Sequence, residues 1–123
     1  MTFIASLALL TASLHPQATV PVPDTGAERP TLSLDQRMVL RCSAAFAIAA
    51  HGQDRGDATM RAWPDLRERG REFFVRSSAR LMDEAGLDRA AITALMQEEA
   101  RSLREEGTLP AVMPVCLTLL PPQ

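Results

Sequence analysis

From Ser33 onward, apolar side chains return every three or four positions, the period of helices that bury one stripe and expose the other face. Met38, Cys42, Ala45, Phe46 and Ala49 form the first stripe. It is opened by Ser33-Leu34-Asp35-Gln36, in which the serine hydroxyl can accept from the amide three residues on while the glutamine reaches back to the serine amide. This helix is predicted to end near Ala50, with Gly52 just beyond it.

A second stripe holds Leu66, Gly70, Phe73, Phe74, Ser77 and Leu81, with Pro64 predicted at the first helical position and Asp65 complementing the helix dipole. A glycine inside a helix costs about 1 kcal/mol relative to alanine. Gly70 therefore suggests the close approach of another helix. Gly86 is placed to stop this helix in the left-handed conformation, with Leu87 folding back on Met82. Asp88 then caps a third helix running to about Glu106, with Leu87 and Ile92 spaced as a hydrophobic staple. A connection this short makes the two helices antiparallel neighbours. Ile92, Leu95, Met96, Ala100 and Leu103 face inward, and Gly107 ends the third helix.

The segment from Thr108 to Gln123 is almost entirely apolar. Val112, Cys116, Leu119 and Leu120 share a helical face, but Pro114 lacks an amide and crowds the carbonyl four residues back. The expected compromise is a turn over Leu109 to Met113 followed by a short helix from Pro114 to Leu120. No stretch alternates as a strand, so the pattern predicts an all-α domain: a small bundle of about four helices closed by one disulfide between the first and last. Residues 33–120 form that domain. Residues 52–62 are a surface connection, residues 19–32 an extended Pro-rich linker with no packing role, and residues 121–123 a tail.

Residues 1–18 have no charged side chain and an apolar run from Phe3 to about Leu14. That run is shorter than the roughly 20 apolar residues a membrane crossing needs, so no transmembrane span is expected. It matches the apolar region of a secretory signal, with Ala12, Ser13 and Ala18 as small residues near a cleavage point, although no basic residue precedes it. The expected location is periplasmic or secreted.

Composition then removes several chemistries. All 13 cationic residues are arginine, and the chain has neither lysine nor tyrosine. Schiff-base lysines, phosphate-loop lysines and tyrosine acids or bases are therefore excluded. A net charge of -2 provides no clustered cationic field for phosphate neutralisation, so no nucleic-acid partner is expected.

The two cysteines, Cys42 and Cys116, admit four readings: metal ligands, a nucleophile, buried thiols or a bridge. A metal would need more ligands than His15 and His51 supply, and no metal or cofactor is assigned. A nucleophile would need a lowered pKa, whereas a mid-helix thiol on an apolar face has it raised. In an oxidising compartment, two cysteines on inward faces make one bridge, and a Cys42–Cys116 disulfide is expected.

Arg67, Arg69, Arg71, Arg76 and Arg80 line the second helix. Asp65 to Arg69, Glu72 to Arg76 and Arg80 to Glu84 stand four apart and would lace most of this face with ion pairs. Arg67, Arg71 and Arg76, together with Trp63, remain candidates for contact with an anion or a partner. The acid pairs Asp83–Glu84, Glu98–Glu99 and Glu105–Glu106 are read as solvated, Ser77 and Ser78 lack a base, and no catalytic residue is assigned. Phe73, Phe74, Met82, Met96 and Met113 are read as core. Exposure of some of them would instead mark an apolar binding groove, since methionine adapts to varied partners.

In outline, residues 34–120 resemble the small two-cysteine periplasmic acid-stress chaperones: a leader, a helical domain and one bridge closing most of it. The likeness rests on no shared motif and transfers no functional residue. The expectation is a non-enzymatic exported protein that binds another macromolecule, such as a protein of the bacterial cell envelope. The alternatives are a periplasmic stress chaperone and an enzyme whose site the sequence does not display.

Overall fold

The computed structural model describes residues 29–122, which contain four α-helices and no strand. The leader, and the linker up to residue 28, lie outside the described residues. Helix α1 spans Leu34–Asp54, α2 Arg69–Ala85, α3 Arg89–Glu105 and α4 Leu109–Leu117, with a 3-10 turn at Met60–Ala62. Among the described residues, no helix is long and apolar enough to cross a membrane.

The local stop and start signals behave as their chemistry requires. Ser33 Oγ accepts from the Gln36 amide while Gln36 Oε1 accepts from the Ser33 amide. Gly86 adopts φ 64° at the end of α2, and Asp88 Oδ1 accepts from the Ala91 amide at 2.7 Å at the start of α3.

Helix α1 is the hub: α2, α3, α4 and the 3-10 turn all pack on it. The sequence suggested one buried stripe, yet Cys42 through Phe46 are buried consecutively and Ile48 and Ala49 follow. Small side chains make this feasible, because Ser43, Ala44, Ala45 and Ala49 let three helices approach one axis from different sides. Ser43, the buried polar group among them, donates to the Val39 carbonyl at 2.8 Å.

Gly70 provides a close approach of α2 to α1. A Cβ there would stand 3.1 Å from the Phe46 Cβ, so α2 lies against α1 at a separation that larger residues would obstruct. Phe46 in turn meets Phe73 edge to face, with ring centroids 5.2 Å apart. Around them Cys42, Leu66, Leu103, Leu109, Met113 and Cys116 complete the main core. A second cluster of Leu40, Leu81, Leu87 and Ile92 closes the opposite end. Leu32 packs on this second cluster and Arg29 pairs with Glu98 at 3.2 Å, so the last linker residues do have a packing role.

Three boundaries differ from those expected. Helix α1 runs through Gly52 to Asp54, because Met60 lies directly over Gly52 where a Cβ would collide with it; the positive-φ residue is Gly56. Helix α2 starts at Arg69, five residues after Pro64, because residues 60–66 are held by Gln53 instead of joining the helix. Gln53 Nε2 donates to the carbonyls of Met60 and Pro64, and its Oε1 accepts from the Leu66 amide. Replacing Gln53 with leucine removes all of these bonds and is expected to cost about 1–3 kcal/mol. Limited trypsinolysis should then cut at Arg61 and Arg67 faster than in the parent protein.

Helix α4 begins at Leu109 and contains Pro114. Its buried residues are Leu109, Met113, Cys116 and, just beyond the helix, Leu120, whereas Leu119 is exposed and Val112 only half-buried. Spacings of four, three and four keep this set on one face only if the helix is continuous. Burial of that face and its bond to α1 outweigh the amide lost at Pro114.

Candidate functional site

Cys42 and Cys116 form the expected bridge between α1 and α4, with Cα atoms 5.1 Å apart. Both residues are fully buried, which makes the bridge structural. The other sequence candidates fall into two places. Trp63 and Arg67 line a polar recess of about 310 Å³ with Gln53, Arg61 and Asp65, beside the C-terminus of α1. Arg71 and Arg76 border a separate shallow hollow on the outer side of α2, with Glu72, Val75 and Ala79.

The arginines of this region are not equivalent. Arg67 is engaged by Asp65, with Nε 2.9 Å from Oδ1 and a second guanidinium nitrogen on Oδ2, and Asp54 stands 3.9 Å away. The anticipated Asp65–Arg69 and Glu72–Arg76 pairs are not among the ion pairs of the described residues, whereas Arg80–Glu84 forms at 2.7 Å. Asp65 instead turns to Arg67 because it precedes the helix, and Arg69 donates to the Pro121 carbonyl at 2.8 Å.

The Arg67 side chain and backbone amide hold the Asp65 carboxyl at about 2, against an ordinary 3.8. A depressed carboxyl favours the folded state above its unfolded pKa, and that contribution fades as pH falls from about 4 through about 2. Carboxyl-carbon NMR is expected to find Asp65 titrating near this low value, and Arg67→Gln should return it towards the ordinary range.

Not all acid pairs are solvated. Arg41, half-buried on α1, donates to Glu99 at 3.1 Å and to the Thr108 hydroxyl at 3.2 Å, with Glu106 at 3.8 Å. Glu99 is therefore a half-buried tie between α1 and α3, because helix phase turns it towards α1.

A further feature is an apolar groove between α2 and α3. Both helices lie along α1 but touch each other over much less of their length. Two hollows of about 440 Å³ each meet at Phe74 and Thr93. One is floored by Ala44, Ala47 and Ile48 of α1 and walled by Met96 and Ala100. The other is lined by Val75, Met82 and Ile92. Phe74, Met82 and Met96, inward by helix phase, are only half-buried here, and Val75 is 61% exposed. The charged side chains lining the two hollows are Arg89 and Arg104. Such a surface gives adaptable apolar contact with few polar groups to desolvate.

No protein-family model matches the chain, and neither a curated protein nor a solved structure matches it.

Proposed function

We propose that this chain is an exported, non-enzymatic helical protein of the bacterial cell envelope that acts by binding a partner protein in the groove between α2 and α3. The observation that carries this reading is the partial exposure of Phe74, Met82 and Met96, beside the exposed Val75, along two adjoining hollows that share Phe74 and Thr93. A contiguous, partly exposed apolar surface rimmed by polar residues commonly marks an interaction surface. Two further features support this compartment. A fully buried bridge forms and persists in an oxidising environment, and the apolar run in residues 1–18 has the character of an export signal.

Ala47 and Thr93 are exposed residues on the groove, so Ala47→Arg and Thr93→Arg would obstruct it without entering the core. A photo-crosslinking residue at position 93 is expected to trap a discrete envelope protein in the native host, and Ala47→Arg should abolish that adduct. Adducts of unchanged pattern and yield with Ala47→Arg would refute the groove as the binding site. Intact mass of the protein from the same cells is expected to show a removed leader and two missing hydrogens at the cysteines. An unprocessed chain with free thiols would refute export.

A further inference from the structure

We infer that the groove accepts an amphipathic helix of about four turns with a carboxylate near each end, a conclusion that rests on the groove being the binding site. Three observations point to this occupant. First, the charges lining the trough are cations at its opposite ends: Arg89 begins α3 and Arg104 lies in its last turn. They are fifteen positions apart on one helix, about 22 Å at 1.5 Å per residue. A lipid or fatty acid has one charged head and would satisfy one mouth, whereas a rod with an acid at each end satisfies both.

Second, both arginines are exposed, and neither enters an ion pair among the described residues. Arg89 also stands at the positive end of the α3 dipole, where a cation is disfavoured, while neighbouring Asp88 is occupied capping the Ala91 amide. Both guanidinium groups are therefore open to a carboxylate that an occupant brings to either mouth.

Third, the walls are helical and their groove-facing side chains are mainly apolar, so they offer no sheet edge to an extended peptide. An extended segment would leave backbone amides and carbonyls unsatisfied against Phe74 and Met96, whereas a helix satisfies its own. Laid between α2 and α3, such a helix meets α1 at the Arg104 end, over the exposed floor at Ala47.

The test is selection from a displayed library of random 18-residue peptides against the folded, oxidised protein, discarding clones that also bind Ala47→Arg/Thr93→Arg. The retained clones are expected to share an apolar i, i+3/i+4, i+7 stripe and carboxylates about fifteen positions apart. Arg89→Gln/Arg104→Gln should bind them about fivefold more weakly, and Glu→Gln peptides should not distinguish this variant from the parent. Clones lacking paired acids, proline-rich extended clones or no groove-dependent clones would overturn the helix. So would groove-dependent binding of phosphatidylglycerol vesicles in place of peptide, or a groove-dependent dimer of the chain in sedimentation. If the position-93 adduct persists in any of these cases, binding in the groove stands and only its helical occupant is wrong.

Discussion

Reduction of the Cys42–Cys116 bridge, or its replacement by Cys42→Ser/Cys116→Ser, is expected to lower the unfolding free energy by on the order of 4 kcal/mol. The bridge joins residues 74 positions apart, and most of its effect arises in the unfolded chain, where it forbids open conformations. Two signatures should accompany the loss in urea titrations. The midpoint should fall, and the dependence on denaturant should steepen because the unlinked unfolded chain exposes more surface. Small domains are stable by roughly 5–15 kcal/mol in total, so the reduced form should lie close to its unfolding limit at 37 °C. A shift of less than about 1 kcal/mol would mean that packing alone holds α4 on α1.

Phe46→Ala is expected to be comparably severe, about 3–5 kcal/mol. The ring is fully buried, packed edge to face on Phe73, and its Cβ lies against Gly70 of α2. The backbones are already near contact there, so they cannot collapse further to fill the void. Leu103 and Met113, buried in the same cluster, would lose contact atoms as well. Equilibrium unfolding monitored by circular dichroism measures the effect, and Phe73→Leu provides the comparison for loss of the aromatic pair alone. Cys42 and Phe46 are one helical turn apart, so the combined variant should depart from additivity and be largely unfolded at 25 °C.

What the sequence disclosed depended on how local the deciding interaction was. Ser33, Gly86 and Asp88 were legible because a cap is settled within four residues of itself. Both cysteines were placed by helix phase, which gives direction. Gly52 was misread because a glycine that ends a helix and one that admits a neighbour look identical until Met60 is known to lie over it. Pro64 was misread because the side chain that organises the residues around it, Gln53, belongs to the preceding helix. The candidate site was less legible still. Trp63 and Arg67 do come together, but Asp65 takes up much of Arg67, and Arg71 and Arg76 lie elsewhere. Phase turned Phe74, Met82 and Met96 inward without revealing that α2 and α3 meet over only part of their length and leave these side chains half-buried. Arg89 and Arg104 carried no signal of their own, since single cations near helix ends are ordinary.

The long reach of the bridge also has a consequence for the order of events during synthesis. Chains grow at about 5–20 residues per second, so the residues separating Cys42 from Cys116 take several seconds to appear. Through that interval α1 already presents Cys42, Ala45, Phe46 and Ala49, while the helix that covers Cys42 has not been made. The nascent chain must therefore carry an unpaired thiol amid an uncovered greasy surface until α4 arrives. Native pairing has to wait until the last helix brings Cys116 to Cys42, and a mispaired Cys42 would record any other thiol-bearing protein that reached it first.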